Sequence, residues 1–181
     1  SMLRQGRPFA AWAFFEAAAA ACPDNAEAVF NCAKMRLALG DDTGGIHALR
    51  ARWRLSTCKA PYQLYPKPTL PLRVWDGQPV LGKRFFVWGE QGIGDDVWFA
   101  GRIDDLILAG AEVVLECSPK IVGLLARSFP QIEVRARSAV DPDLRGFDYQ
   151  MPISHLTEAF HQPGKPYPTG YLRVDQRLVK R

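Results

Sequence analysis

The tightest constraint on this chain is a five-residue apolar run, Arg84-Phe85-Phe86-Val87-Trp88, that feeds straight into Gly89-Glu90-Gln91-Gly92-Ile93-Gly94-Asp95. A short continuous run of large apolar residues has no polar face to show to water. It reads as a strand covered on both sides, and such strands belong to parallel sheets. The apolar positions Val97, Phe99, Ile103, Leu106 and Ile107 follow at helical spacing, so a helix is expected over Asp95 to Ala109, ended by Gly110. The same alternation continues. Strands are expected at Glu112–Glu116, Ile132–Arg135 and Phe147–Gln150, with helices at Pro119–Ser128 and His155–Phe160. Strand and helix in alternation predict a parallel, Rossmann-like sheet, with its ligand side at the carboxyl ends of the strands.

The first third has a different rhythm. Gly6 and Gly40, Ala11 and Gly45, and Phe15 and Leu49 are each 34 residues apart, and a period in this range marks stacked helical repeats. Phe9, Trp12, Phe15 and Ala19 share one helix face. Pro23-Asp24-Asn25 separates that helix from a second over Ala26–Leu39, and Gly40-Asp41-Asp42 separates the second from a third over Thr43–Leu55. The third is weakened by Gly44 and Gly45. Between the two regions, Pro61, Pro66, Pro68 and Pro71 deny a helix. The expected organisation is a helical segment over 1–55, a Pro-rich linker over 56–83 and an α/β domain over 84–181.

Composition excludes several classes. With 48% hydrophobic residues in 181, disorder throughout is ruled out. The longest apolar tract, Pro8 to Cys22, is broken by Glu16 and too short to span a bilayer. A net charge of +4 is no nucleic-acid footprint. Cys22, Cys32, Cys58 and Cys117 are scattered with no metal-ligand spacing, and His155 and His161 have no acid partner nearby, so no metal is expected. Unpaired thiols and the lack of a leader peptide suit the cytoplasm. Ser1-Met2 reads as a cloning scar on a piece of a longer protein.

Gly92-Ile93-Gly94 invites a dinucleotide reading, with Glu116, 24 residues after Gly92, as the ribose acid. Two features oppose it. Val97 stands where the third glycine would be, and Glu90, Asp95 and Asp96 crowd a mouth that would have to hold a pyrophosphate. No cofactor is therefore expected. An ionised acid at a helix start suits a hydroxyl ligand better, since it can accept a proton from a sugar or protein hydroxyl. Asp95 either does this, or caps the helix, or both. Asp96 fits a first-turn dipole partner, and Glu90 a brace for the loop. Gly92 and Gly94 would let a substrate approach the backbone closely. Ser154 and His155 either line the same cleft or lie on plain surface.

These elements also carry a resemblance. Trp75-Asp76-Gly77, Leu81-Gly82-Lys83, Glu90-Gln91-Gly92-Ile93-Gly94-Asp95, Phe99-Ala100, Gly110 to Glu116, Phe147-Asp148-Tyr149, Met151-Pro152-Ile153-Ser154 and Tyr171-Leu172 follow in order. Together with the 34-residue period, they resemble bacterial proteins in which tetratricopeptide repeats precede a glycosyltransferase-like domain, similar to O-linked N-acetylglucosamine transferases and heptosyltransferases. The resemblance implies the first half of a GT-B fold, its helices packed on the sheet. It implies Asp95 as the catalytic base, and Glu90, Gln91, Gly92, Gly94, Ser154 and His155 as substrate-binding residues. It further implies a protein or glycan acceptor, with a nucleotide sugar held by a second domain beyond Arg181. The piece alone would then be inactive. The sequence departs from that pattern at Asp96 and Trp98. The alternative is a non-catalytic interaction scaffold.

Overall fold

A computed structural model of the chain describes residues 8–55, 70–90, 92–138, 140 and 142–179. The chain divides into two compact units, Ser1–Pro66 and Lys67–Arg181. In the first, α1 (Pro8–Ala21), α2 (Ala26–Ala38) and α3 (Asp42–Ala48) are followed by a 3-10 helix over Leu49–Arg54. Asn25 opens α2 because its side-chain oxygen accepts the Glu27 and Ala28 amides, both at 3.1 Å, and Asp41 opens α3 through the Gly44 amide at 3.0 Å. The third helix is shorter than expected. It tightens at Leu49, whose carbonyl takes the Arg52 guanidinium at 2.8 Å. Gly44 and Gly45, expected to weaken that helix, are there because it runs close to α2. A Cβ on Gly45 would lie 2.5 Å from Leu37 Cγ, and one on Gly44 would lie 2.5 Å from Arg36 Nη1. Arg36, in the last turn of α2, pairs with Glu16 of α1 at 2.8 Å and with Asp41 at the start of α3 at 3.2 Å, linking all three helices.

The second unit is α/β. Its sheet has four parallel strands in the order β3-β2-β1-β4: β1 (Arg84–Trp88), β2 (Glu112–Cys117), β3 (Glu133–Ala136) and β4 (Tyr149–Pro152). Phe85, Phe86, Val87 and Trp88 are all buried, as a central strand requires. Short charged β3, with Glu133 and Arg135 paired across it, forms one edge. Beyond β4 lie residues 72–75, which fall within the expected linker. Val74 bridges to Gln150, the Trp75 amide donates to the Gln150 carbonyl at 3.0 Å, and the Trp75 ring meets Phe85 edge-on. The Gln150 side chain is buried. It accepts the Trp88 indole N–H at 2.7 Å and donates to the Leu72 carbonyl at 3.2 Å.

The helix expected over 95–109 is two helices, α4 (Ile93–Ala100) and α5 (Ile103–Leu108). Between them the amides of Gly101 and Arg102 bond three residues back, to the carbonyls of Trp98 and Phe99. The tighter turn leaves the Val97 and Trp98 carbonyls without the partners that a continuous α-helix would supply. Two tyrosines from far down the chain take them. Tyr171 donates to Val97 at 2.7 Å and Tyr167 to Trp98 at 2.8 Å. Gly101 makes room for both rings, since a Cβ there would lie 2.9 Å from Tyr171 and 3.0 Å from Tyr167. Burial pushes the Tyr167 hydroxyl up to about 12, so it stays protonated and remains a donor. The remaining elements are α6 (Val122–Ser128), α7 (Ser154–Phe160) and a 3-10 turn at Gln176–Leu178. No helix among the described residues is long and apolar enough to cross a membrane.

Removing the Tyr171 hydroxyl takes the donor from the Val97 carbonyl, and removing that of Tyr167 leaves the Trp98 carbonyl with the Gly101 amide alone. Tyr171→Phe and Tyr167→Phe are each expected to destabilise the protein by about 1–2 kcal/mol in urea unfolding. Gly101→Ala is expected to cost more than either, because it displaces both rings.

Candidate functional site

In a sheet of this order, the succession of strands switches sides between β1 and β4, and sheets of this kind commonly bind ligands at the carboxyl ends of the strands at such a point. Three segments meet at this rim: residues 89–90 and 92–95 after β1, Ser118 after β2, and Ser154-His155 after β4. Backbone pairing holds their bases together. Gly89 donates to the Glu116 carbonyl at 2.7 Å, and Ile153 donates to the Trp88 carbonyl at 2.8 Å.

Buried carboxylates hold them above that. Asp96, only 1% exposed, accepts the Glu90 amide on one oxygen at 2.8 Å and the Ser118 amide on the other at 3.3 Å. It joins the first segment to the second. Glu90, 3% exposed, accepts the Ser154 amide at 3.0 Å and joins the first segment to the third. Asp96 was expected as a first-turn dipole partner. Its position at the start of α4 is as expected, but its side chain turns inward and acts as a tie. Gly89 makes this possible. A Cβ there would lie 2.5 Å from Asp96 Oδ1 and 2.8 Å from Arg137 Nη2.

Arg137 enters the rim from the end of β3. Its Nη1 donates to the Glu90 carbonyl at 3.3 Å, and its Nε lies 3.6 Å from the Glu116 carboxylate. Glu116 is thus paired with a guanidinium. Burial raises the Asp96 and Glu116 carboxyl groups above their ordinary values, against the pull of Arg137. It also pushes the neighbouring Cys117 thiol up to about 12, so that cysteine is a poor nucleophile at neutral pH.

Of the three acids at the loop, Asp95 is the one with access to solvent: it is half-buried, whereas Glu90 and Asp96 are sealed. It sits in the first turn of α4, with Gly92 as the N-cap. Gly92 is extended (φ −151°, ψ 161°), and a Cβ there would lie 3.3 Å from Asp95 Oδ2. Around a Cβ on Gly94 there would be nothing within 4 Å. Gly94 is exposed. Ser154 is buried and His155 half-buried at the start of α7. Gln91 lies outside the described residues. Among the described residues, no group of three or more His, Cys, Asp or Glu is placed to hold a metal ion. Reading the sequence missed Gly89, Ser118 and Arg137. The usable signal was positional, since each follows the last residue of a parallel strand or lies one beyond it.

No family model matches the chain, and no solved structure matches it. A search of curated proteins finds Protein FlbA of Caulobacter vibrioides (strain ATCC 19089 / CIP 103742 / CB 15), 32% identical over 121 residues, which is 65% of this chain and 20% of FlbA. The chain spans about a fifth of that relative's length. These findings correct the expected family. The likeness found is to FlbA, which is not a glycosyltransferase, and neither a family model nor a solved structure supports tetratricopeptide repeats or a GT-B fold. The ordered motifs that suggested those families are accounted for by a parallel sheet and its turns. The 34-residue period coincides with three helices in close contact, an arrangement that many helical segments share.

Two outcomes follow from this geometry. Gly94→Ala is expected to stabilise the protein by about 0.5–1 kcal/mol, as helix propensity dictates where space is open. Gly89→Ala is expected to destabilise it, because the Asp96 carboxylate must move; thermal unfolding compares the two. The folded Asp96 carboxyl has a raised pKa, so it binds its proton more tightly than in the unfolded chain. Its contribution to stability is therefore full below the ordinary value of 3.8 and is lost as pH rises through the folded-state value. Urea unfolding of wild type and Asp96→Asn across this range is expected to show the wild-type advantage shrinking with rising pH.

Proposed function

We propose that this rim receives a hydroxyl-bearing acceptor, and that the chain supplies the acceptor side of an enzyme moving a sugar from a nucleotide-sugar donor to a protein or glycan hydroxyl. The observation that carries the reading is the division of labour among the three acids. Glu90 and Asp96 are buried against backbone amides, while Asp95, beside them in the first turn of α4, is half-buried and so within reach of solvent. A carboxylate in that position keeps some solvation yet lies beside the positive end of α4, which favours its ionised form. It can accept the proton that an attacking hydroxyl loses. The open space at Gly94 leaves room for the acceptor against the backbone. Ser154 and His155 stand on the same rim, where they would contact the acceptor's other polar groups.

A second reading, a non-catalytic interaction scaffold, is favoured by α1. Phe9 and Phe14 on that helix are 68% and 64% exposed, and large exposed aromatic side chains are common where another protein binds.

The test is Asp95→Asn in the full-length protein carrying this segment, assayed with nucleotide sugars and candidate acceptors. Under the enzyme reading, transfer falls by about 10²–10⁴-fold while the thermal unfolding profile is unchanged. Undiminished transfer removes Asp95 from the chemistry. No transfer by the wild type, with partner binding intact in both proteins, establishes the scaffold.

A further inference from the structure

At the opposite end of the sheet, where the strands begin, lies a cavity of about 310 Å³. That volume falls within the roughly 300–1,000 Å³ of small-molecule pockets. The cavity exists because the strands start at different levels. β1 and β2 begin side by side, with Arg84 opposite Glu112, but β3 begins with Glu133 opposite Val114. Glu112 and Val113 therefore have no strand residue beside them on that side. The chain ahead of β3 turns away instead, with the Ile132 amide on the Phe129 carbonyl at 3.2 Å. Gln131 braces this turn by donating to Asp104 of α5 at 2.8 Å. Ile107 of α5, Ala111 and Ile132 give the cavity apolar walls. Its charged groups do not neutralise one another as neighbours of this kind can. Arg84 and Glu112 are cross-strand partners of opposite sign, the arrangement in which an ion pair stabilises a sheet. Among the described residues, neither forms an ion pair. The Arg84 guanidinium lies 4.5 Å from the Phe147 ring, ahead of β4 and so on the far side of β1 from Glu112. Glu112 is exposed. The remaining charged residue of the lining, Glu133, is held by two hydrogen bonds from Arg135.

We propose that this cavity binds a free α-amino acid with an aliphatic side chain. Its carboxylate meets the Arg84 guanidinium, its ammonium meets the Glu112 carboxylate, and its side chain lies against Ile107 and Ile132. Adjacent strands run about 4.8 Å apart, so two unlike charges held unpaired on β1 and β2 match a ligand that carries both charges on one carbon. A guanidinium with no anion partner is well suited to a planar carboxylate. A simple carboxylate, a simple amine or a peptide terminus would satisfy one of the two residues and leave the other unanswered. The pair has no net charge, which gives a phosphate no electrostatic reason to prefer the cavity. The site is separate from Asp95 and independent of the acceptor reading.

Titration of L-leucine into the 181-residue protein tests the proposal, with amide NMR signals of residues 112–114 and 131–133 locating the binding. Wild type is expected to bind with a Kd at or below about 1 mM and to shift those signals. Leucinamide lacks the carboxylate and N-acetyl-leucine lacks the ammonium, and each is expected to bind at least about tenfold more weakly than leucine. Glu112→Gln and Arg84→Gln are each expected to weaken leucine binding at least about tenfold, and Glu112→Gln, at an exposed side chain, to do so with an unchanged thermal unfolding profile. No leucine binding by the wild type overturns the proposal. So do shifts centred elsewhere, equal binding of either analogue, or undiminished binding by Glu112→Gln. Should Arg84→Gln fail to fold, leucinamide decides the role of Arg84 and Glu112→Gln that of the acid.

Discussion

The second unit depends on how its sheet ends. Four parallel strands stop at one rim, leaving backbone amides pointing where no neighbouring strand continues. Amides sealed from water must find acceptors. Asp96 and Glu90 provide them, and because each carboxylate reaches a different segment, they also fix the positions of those segments relative to one another. The Asp96 charge is disfavoured by burial and partly offset by two amides and Arg137. Such a tie is costly to form and costly to break, since removing one partner would strand the rest. Its value lies in geometry: the loop that presents Asp95 is held from below at two points.

The same logic governs the interruption between α4 and α5. Where the helix tightens at Gly101, the Val97 and Trp98 carbonyls lose their α-helical partners, and the segment after α7 returns to donate to them through Tyr171 and Tyr167. Farther along, the Arg173 amide donates to Ser128 Oγ at 3.0 Å, tying this returning segment to α6. The far end of α4 is therefore anchored by residues about 70 positions away, while its near end is held through Asp96. The helix that carries Asp95 is secured at both ends by groups outside it.

Much of this was legible in the sequence because it depends on local patterns. The apolar run at 84–88, the alternation after it, the stop at Gly110 and the cap at Asn25 are all decided by neighbours a few residues away. The sites that escaped are those decided by distant ones. Gly101 reads as a weak helix position until Tyr167 and Tyr171 are placed against it. Asp95 and Asp96 are adjacent acids of the same type, and only the rotation of α4 against the sheet sends one into the core and leaves the other at the surface. Glu90 was legible as a brace, but its target, the Ser154 amide, was not. Ordered motifs also misled. Trp75, Gly82, Gly110 and Asp148 serve the sheet itself: Gly110 takes a positive φ of 90° to leave α5, and Asp148 accepts the Arg84 amide at 2.9 Å and pairs with Lys83. Features that any sheet of this order rewards are weak evidence of family.

Glycine positions separate what the fold requires from what it does not. Gly45, Gly89 and Gly101 each face another part of the chain at a distance that no Cβ could tolerate. Gly94 faces nothing and has no positive φ, although a glycine in the first turn of a helix forgoes stability that alanine would supply. The fold alone gives no reason for it. It lies one residue before Asp95, at the carboxyl end of the central strand, where sheets of this kind meet their ligands. A position that weakens the helix without easing any internal contact is one the fold can change, which is why alanine is expected to be tolerated there and not at Gly45, Gly89 or Gly101.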